Sequence, residues 1–268
     1  MNYRHAYHAG NLADVAKHLA VVAALLHLRR KDGAFAVIDT HAGRGKYDLE
    51  SVEARRTGEA EAGVRRLAGL AAPDQTALST YLGLARGDSY PGSPLIAAKL
   101  LRPQDRLVAI EKNAAEASLL TEVLKPFRRA SVETADGYAR LAALLPPAER
   151  RGLVLIDPPY ESEGEFSDAA RAFAAAYRRF ATGIYVIWFP VKSQAEANRF
   201  CGEVLSAGVE KALRVDVSRA DAQDGRLSAA GMIIVNPPWY FAEELGDAWT
   251  QVMPRLGAQL RLERIAGD

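Results

Sequence analysis

The chain has 268 residues, of which 49% are hydrophobic and 25% are charged, and its formal net charge is +1. This composition is that of a globular protein with one large domain, or with one domain that carries an insertion. It excludes a strongly basic nucleic-acid-binding protein, so any binding of nucleic acid must depend on local patches of basic residues. The single cysteine, Cys201, excludes an internal disulfide and favours a reducing compartment.

The N-terminal residues 1–5 lack the apolar core and the cleavage site of a signal peptide. The longest apolar run, Leu19–Leu26, is too short to cross a bilayer. We therefore expect a cytoplasmic protein with no membrane contact.

The first predicted element is an arm at residues 1–10, rich in Tyr and His, which we call the N-terminal arm. Asn11 is a good N-cap, and Gly33 suits a helix exit. Between them, apolar residues recur at spacings of four, three and four, at Val15, Leu19, Val22 and Leu26. This spacing predicts an amphipathic helix.

Seven short apolar runs follow, separated by helical stretches. They are Ala34–Asp39, Leu107–Glu111, Ala130–Thr134, Leu153–Asp157, Gly183–Phe189, Ala212–Val217 and Gly231–Asn236. Strands buried on both faces have continuous apolar sequences, which indicates a mostly parallel sheet covered by helices. We therefore predict an α/β, Rossmann-like fold of the class I methyltransferase type with a seven-stranded, mostly parallel sheet.

An insertion interrupts the first crossover of this sheet. Gly45 and Glu111 are 66 residues apart, whereas the glycine loop and the acidic residue of a nucleotide-binding βαβ unit are separated by about 20. The Ala-, Arg- and Glu-rich residues 48–87 are predicted to form a small helical subdomain inserted in a methyltransferase domain of residues 1–47 and 88–268. After the insertion, Ser93 is the predicted N-cap of the crossover helix, and Pro94 is its predicted first residue.

The segment Asp39–Gly45 contains two glycines directly after the first strand. They allow a tight turn and close approach to a ligand at the carboxyl edge of the sheet, so we predict that Gly43 contacts a cofactor. A P-loop is excluded, because Thr40 replaces its first glycine and Tyr47 replaces its Ser or Thr. The alternative is a purely structural turn.

Two acidic residues follow the next strands. Glu111 ends the second strand, where a carboxylate accepts hydrogen bonds from the ribose hydroxyls of a nucleoside cofactor. Asp136-Gly137 comes just after the third strand and is predicted to contact the adenine ring of that cofactor. Glu111 would otherwise be an ordinary surface residue.

The motif Asp157-Pro158-Pro159-Tyr160 follows a fully apolar strand. The Asp157 carboxylate and the Pro158 carbonyl can accept both hydrogens of an exocyclic amine, which directs its lone pair toward a methyl donor. Tyr160 can stack on a base extruded from its helix. We therefore predict methylation of adenine N6 with S-adenosyl-L-methionine. The alternative is a turn that merely ends a strand.

A second, similar motif is Asn236-Pro237-Pro238-Trp239. The last predicted strand runs antiparallel to the others in this fold, so Asn236 would lie about one strand length, ~17–20 Å, from the chemistry. We predict a structural role for this motif.

The N-terminal arm contains His5-x-x-His8, which has no Cys partner and no acidic cluster beside it. We therefore predict no metal site. Stacking on a base or capping the cofactor is the functional interpretation, and an arm packed on the protein surface is the alternative. Lys17 and His18 of the first helix are placed to face the same cleft.

Paired arginines are a further feature of the sequence. They are usually solvated surface, but here several are expected near the cleft or in the insertion, which suggests a phosphate-contacting patch. The pairs are Arg55-Arg56, Arg65-Arg66, Arg128-Arg129, Arg150-Arg151 and Arg178-Arg179.

Taken together, these motifs resemble the bacterial RlmJ family of 23S rRNA adenine-N6 methyltransferases over nearly the whole chain. The matching stretches are Tyr3-Arg4-His5, His8–Asn11, Asp14, Lys17-His18, Asp39–Gly43, Arg56–Glu59, Tyr90–Ala97, Ala135–Gly137, Asp157–Tyr160, Arg179–Tyr185, Gly231-Met232 and Asn236–Trp239.

The resemblance implies a target adenine in 23S rRNA that is protein-free or at an early stage of assembly, and Tyr3 as the residue that engages the target adenosine. We also expect the enzyme to be a monomer. It implies S-adenosyl-L-methionine contacts at His18, His41, Ser93, Glu111, Asp136, Gly137 and Asp157. Leu12 and a shorter insertion depart from the family pattern, which affects the expected RNA docking surface. A DNA adenine-N6 methyltransferase and a non-catalytic nucleic-acid-binding protein on this fold are the alternatives.

Overall fold

The computed structural model describes residues 4–162, 164–219 and 229–267. Its ten strands are β1 (Ala36–Asp39), β2 (Lys46–Asp48), β3 (Ser89–Pro91), β4 (Arg106–Ile110), β5 (Ala130–Glu133), β6 (Gly152–Ile156), β7 (Ile184–Pro190), β8 (Ala212–Arg219), β9 (Ala229–Val235) and β10 (Ala258–Ala266). The α-helices in the same residues are α1 (Leu12–Arg29), α2 (Val52–Thr57), α3 (Glu59–Ala62), α4 (Ala77–Leu84), α5 (Ser93–Leu100), α6 (Ala114–Leu124), α7 (Gly137–Leu141), α8 (Glu165–Arg179), α9 (Gln194–Leu205) and α10 (Phe241–Leu256).

The main sheet has the strand order β10-β8-β9-β7-β6-β1-β4-β5. Strands β5, β4, β1, β6 and β7 are parallel, whereas β9 runs antiparallel to both β7 and β8. The predicted α/β class with a mostly parallel sheet is therefore confirmed. Because parallel strands end at one edge, the loops after β1, β4, β5 and β6 meet there.

The sheet has eight strands, so the predicted number of seven was wrong. The additional strand, β10, pairs antiparallel with β8 at the edge of the sheet. Its exposed residues Gln259, Arg261 and Glu263 alternate with the half-buried Leu260 and Leu262. An edge strand with one face in solvent lacks the continuous apolar run by which the other strands were identified.

Helix α1 begins where the sequence predicts, because the Asn11 side chain accepts a hydrogen bond from the Asp14 N–H. It lies under the sheet and is covered by α4, α5 and α10. Val15, Leu19 and Val22 are fully buried. A helix buried on all sides accommodates polar residues only where they have partners, and α1 has such residues at its N-terminal end, beside the cavity described below.

Residues 48–87 lie between the two strands of a small antiparallel hairpin, in which Lys46 pairs with Pro91 and Asp48 with Ser89. They contain α2, α3, a 3-10 turn and α4. Leu78 and Tyr81 of α4 are buried in the same apolar cluster as α1. Helix α4 therefore packs on α1, whereas α2 packs on the 3-10 turn of the N-terminal arm.

Helix α5 begins one residue earlier than predicted. Gly92 is its N-cap and Ser93 is its first residue, so the prediction of Ser93 as N-cap was wrong. The physical reason is that the Ser93 hydroxyl donates to Asp39 Oδ2 at 2.7 Å instead of accepting from the helix backbone.

None of the helices in the described residues is both long and apolar enough to cross a bilayer.

Candidate active site

A cavity of about 1090 Å³ lies at the carboxyl edge of the parallel strands. Its walls are the N-terminal arm, the start of α1, and the loops that follow β1, β4, β5 and β6. The predicted site residues that line it are His18, His41, Gly43, Ser93, Glu111, Asp136, Gly137, Asp157, Pro158 and Tyr160. Tyr3, the predicted substrate contact, lies outside the described residues.

Glu111 joins the loops after β1 and β4. One carboxylate oxygen accepts from the Gly43 N–H at 2.9 Å, and the other accepts from the Asn113 N–H at 2.7 Å. Burial raises the pKa of Glu111, although the hydrogen bonds from these N–H groups lower it. The carboxylate is held rigidly, and its remaining acceptor capacity is available to hydroxyl donors in the cavity.

Asp136 and Gly137 form the start of α7. Asp136 Oδ1 accepts from the N–H groups of Tyr138 and Ala139, and its Oδ2 lies 2.9 Å from Lys112 Nζ. Gly137 packs directly on the Thr40 carbonyl, where a Cβ would clash with the backbone. This contact fixes the loop after β5 against the loop after β1.

The two predicted cofactor histidines are uncharged at neutral pH. His18 is buried, its Nδ1 lies 2.8 Å from the Tyr90 hydroxyl, and burial lowers its pKa to about 3. His41 Nδ1 lies 2.8 Å from the Thr40 hydroxyl, and burial lowers its pKa to about 4. Each ring therefore presents a neutral surface to the cavity.

Lys17 is the main site residue whose role the sequence interpretation missed. Its Nζ lies 2.6 Å from Asp157 Oδ2 and 3.0 Å from Asp14 Oδ1. Burial alone would lower the pKa of Lys17, but Asp157 and Asp14 together raise it. The i,i+3 spacing of Asp14 and Lys17 after an N-cap was a visible signal, but the contact with Asp157 joins residues 140 positions apart.

Asp157 is held by Lys17 in a cluster with an excess of negative charge. We use the name acidic cluster for Asp14, Lys17, Asp39 and Asp157. Burial raises the pKa of Asp157, against the opposing effect of Lys17. Burial raises the pKa of Asp39 to about 7, although its hydrogen bond from Ser93 lowers it. Three carboxyl groups surround one lysine, so the cluster favours a further cation nearby.

Tyr160 lies at the cavity wall in a fixed orientation. Its backbone has a φ of +49°, and its hydroxyl donates to the Trp188 carbonyl at 2.8 Å. Its ring packs against Phe166, Trp188 and Phe200. Trp188 also lines the cavity, and its buried indole N–H has no hydrogen-bond partner in the part of the chain that the structure describes. The sequence interpretation gave Trp188 no role, because it lies within an ordinary apolar strand.

The N-terminal arm closes one side of the cavity. His5 Nε2 lies 2.8 Å from Asp14 Oδ2, and Arg4, His5 and His8 line the cavity. Among the described residues, no group of three or more His, Cys, Asp or Glu side chains is arranged to hold a metal ion.

Asn236 lies at the opposite edge of the sheet, as predicted. Strand β9 runs antiparallel to β7 and ends with Val235 paired to Tyr185, near the start of β7. The Asn236 side chain donates to the carbonyls of Ala181 and Gly183, each at 2.7 Å. The predicted position is confirmed, and these bonds join the end of β9 to the residues before β7.

The paired arginines differ in how far they are engaged within the protein. Arg55 and Arg65 both form ion pairs with Glu50, and Arg151 donates to the Leu28 carbonyl at 2.9 Å. Arg56 and Arg128 are exposed and form no ion pair within residues 4–162, 164–219 and 229–267.

The chain is similar in sequence to the members of one known family. The family model described as "Ribosomal RNA large subunit methyltransferase D, RlmJ" matches residues 32–263. A relative from Escherichia coli K12, named "Ribosomal RNA large subunit methyltransferase J", is 39% identical over 97% of this chain and 94% of its own length. A relative of the same name from Haemophilus influenzae is 38% identical over 92% of this chain and 91% of its own.

Two solved structures share the fold of this chain. A Legionella pneumophila protein, 30% identical, superposes with a TM-score of 0.88 over 97% of this chain and 99% of its own. A probable spermidine synthase from Corynebacterium glutamicum, 13% identical, has a TM-score of 0.53 over 95% of this chain and 76% of its own, and shows the fold alone. From the family match and the two relatives, the chain belongs to the RlmJ family of ribosomal RNA large subunit methyltransferases.

Proposed function

We propose that this protein methylates the exocyclic N6 of one adenine in 23S rRNA, with S-adenosyl-L-methionine as the methyl donor. The observation that carries the proposal is the Asp157-Pro158 turn, which lies in the wall of a cavity large enough for two ligands beside an acidic cluster. Family membership gives the class of enzyme, and the motif gives the class of acceptor atom.

The residues of the cavity fit S-adenosyl-L-methionine. Glu111 is held by two N–H groups and can accept from ribose hydroxyls. The acidic cluster has three carboxyl groups for one lysine, which favours a sulfonium cation. When bound, this cofactor supplies an electrophilic methyl group. His18, His41, Ser93, Asp136 and Gly137 line the same cavity and are proposed to hold the rest of the cofactor.

Asp157 and Pro158 act on the acceptor nitrogen. An exocyclic amine is a poor nucleophile because its lone pair is delocalised into the ring. Two acceptors, the Asp157 carboxylate and the Pro158 carbonyl, hold both amine hydrogens and so direct the lone pair out of the ring plane. They also stabilise the positive charge that develops on the nitrogen during transfer.

Lys17 keeps Asp157 ionised and oriented for this task. It binds one carboxylate oxygen, Oδ2, which leaves Oδ1 for the amine. Tyr160 is fixed by its bond to the Trp188 carbonyl and offers part of its ring to the base. Arg4, His5 and His8 of the N-terminal arm line the cavity, and we propose that Tyr3 of the same arm contacts the target base.

We further propose that the enzyme acts in the cytoplasm as a monomer, on rRNA that is protein-free or at an early stage of assembly. The cavity lies behind the N-terminal arm at one edge of the sheet, so a target base must leave its helix to reach Asp157. A base buried within an assembled particle cannot do so.

Nucleoside mass spectrometry tests the proposal. The protein and an Asp157→Ala variant are incubated with labelled S-adenosyl-L-methionine and, in parallel, with naked 23S rRNA, assembled large subunits and duplex DNA. We expect label in N6-methyladenosine from naked rRNA only, and only with the unmutated protein. Comparable transfer to DNA would overturn the RNA substrate, and label in another nucleoside would overturn the role of the Asp157 turn.

A further inference from the structure

The N-terminal arm is attached to the inserted residues 48–87 by one half-buried carboxylate, Glu59. Its Oε1 lies 2.8 Å from His8 Nδ1, and its Oε2 accepts from Asn11 Nδ2 at 2.9 Å. The Glu59 side chain is 11% exposed. Burial would raise the pKa of Glu59, but the hydrogen bonds from His8 and Asn11 lower it, so the carboxylate is ionised at neutral pH.

Backbone contacts complete this attachment. The Thr57 hydroxyl donates to the Tyr7 carbonyl, and the Val64 N–H donates to the Gly10 carbonyl at 2.8 Å. Gly63 packs so closely on Gly10 that a Cβ there would clash with the Gly10 carbonyl. The end of α2, the short α3 and the following turn therefore form a seat for the N-terminal arm.

A continuous series of hydrogen bonds leads from Glu59 to the acidic cluster. Asn11, held by Glu59, accepts from the Asp14 N–H at 2.9 Å. Asp14 in turn accepts from the Gly10 N–H at 2.9 Å and pairs with Lys17, which pairs with Asp157. The arm residues that line the cavity are thus fixed at one end by Glu59 and at the other by Asp14.

We propose that Glu59 is a positioning residue, which holds the N-terminal arm over the cavity so that the target base is kept beside Asp157. The proposal rests on the proposed function, because it takes a nucleic-acid base as the ligand under the arm. The inserted segment then has a role in the reaction, because it carries the residue that holds the arm in place.

The main test compares Glu59→Ala, Glu59→Gln and Glu61→Ala. Glu61 is a matched control, because it lies on the same short helix, its side chain is 69% exposed, and its ion pair is with Arg65 and not with a residue of the arm. Glutamine can still accept from Asn11 and donate to the His8 ring, so Glu59→Gln should retain most of the activity. Glu59→Ala removes both bonds, and we expect its KM for rRNA to rise by about tenfold or more.

Two further measurements separate positioning from a general role in folding. The dissociation constant for S-adenosyl-L-methionine and the Tm of Glu59→Ala should stay close to those of the unmutated protein. Amide hydrogen exchange at residues 4–11 should be faster in Glu59→Ala, but not in Glu61→Ala. An arm that exchanges at the same rate in Glu59→Ala, or a loss of Tm and cofactor affinity that accounts for the loss of activity, would overturn the proposal.

The hydrogen-exchange measurement needs no substrate, so it distinguishes failure of this inference from failure of the proposed function. If the unmutated protein methylates none of the nucleic acids offered while Glu59→Ala still loosens the arm, the rRNA activity is wrong and the attachment by Glu59 is correct. If methylation occurs but Glu59→Ala has an unchanged KM, the positioning role is wrong.

Discussion

At the scale of single residues, the pairing of Lys17 with Asp157 has the clearest chemical consequence. Asp157 is half-buried, and burial raises its pKa, whereas Lys17 at 2.6 Å lowers it. An amine acceptor must be ionised to take a share of the positive charge on nitrogen. If Asp157 is this acceptor, as proposed, we expect the lysine to extend the activity to lower pH than a buried carboxylate alone would allow.

Lys17→Met should move the acidic limb of the pH–kcat profile to higher pH. Without the lysine charge, the pKa of Asp157 rises by about one unit or more, so a higher pH is needed to ionise it. The measurement is kcat between pH 5.5 and 9 with saturating rRNA and cofactor. Lys99→Met, a change of the same kind at an exposed position of α5, serves as control. If Lys17→Met lowers kcat at every pH but leaves the acidic limb at the same pH, this role of Lys17 is contradicted.

Gly137→Ala should destabilise the site, since the added Cβ meets the Thr40 carbonyl, which is backbone and cannot turn aside. Overpacking of this kind costs about 1–3 kcal/mol, and we expect a lower Tm and weaker cofactor binding. Gly202→Ala is the matched control, because a Cβ at Gly202 in α9 meets nothing within 4 Å. Because alanine is favoured over glycine in the interior of a helix, Gly202→Ala should leave Tm unchanged or raise it. Equal Tm values for the two variants would show that the contact with Thr40 relaxes freely.

At the scale of elements, the sequence was informative wherever a strand is buried on both faces. The apolar runs before Asp39, Glu111 and Asp157 could be recognised, and their polar ends define the site because parallel strands share an edge. Strand β10 could not be recognised in this way, because charged residues on its exposed face interrupt the apolar pattern. The start of α5 was misplaced by one residue because the Ser93 hydroxyl has a tertiary partner, Asp39.

The contacts between elements could not be predicted from local pattern. Lys17 and Asp157 are 140 residues apart, and His8 and Glu59 are 51 apart. Each pair depends on how α1 and the inserted segment pack, which is a property of the tertiary structure. The family resemblance marked these residues as matching positions but gave no contact between them. The role of Tyr3 and the division into two domains stay predictions.

The acidic cluster combines side chains from α1, from β1 and from the residue that follows β6. From its charges we predict that the protein releases protons when the cofactor binds. Its Asp39 has a pKa of about 7, above the ordinary value of 3.8, so it is largely protonated at pH 6.5. A sulfonium cation nearby lowers this pKa, and on the order of half a proton should leave the protein. The demethylated product, S-adenosylhomocysteine, is uncharged at sulfur and should release much less.

Isothermal titration calorimetry at pH 6.5, in two buffers of different ionisation enthalpy, measures this release for both ligands. In Asp39→Asn the difference between the ligands should shrink, because the main titrating group is gone. At pH 8.5 the release should also vanish, since Asp39 is then already ionised before binding. The same release for the sulfonium and for the product would show that the cluster does not respond to the cofactor charge.

At the scale of the whole molecule, the net charge of +1 means that binding to rRNA depends on where the cations lie. Arg55 and Arg65 of the inserted segment already have acidic partners, since both pair with Glu50 and Arg65 also pairs with Glu61 and Asp88. Arg56 is exposed and forms no ion pair among the described residues, and it directly precedes Thr57, whose hydroxyl donates to the Tyr7 carbonyl of the N-terminal arm. Because Arg56 has no acidic partner there and is adjacent in sequence to a residue that binds the arm, we expect it to contact a phosphate of the bound rRNA.

Arg56→Glu should weaken rRNA binding at low salt and reduce the dependence of log K on log salt concentration by about one. Arg178→Glu makes the same change of charge at the end of α8, which leads to the start of β7 at the sheet edge opposite the cavity. It should leave both quantities unchanged. Fluorescence anisotropy with an rRNA fragment, at several salt concentrations, gives both values. Because each lost phosphate contact releases about one fewer counterion, equal slopes for Arg56→Glu and the unmutated protein would place the RNA backbone on another face of the molecule.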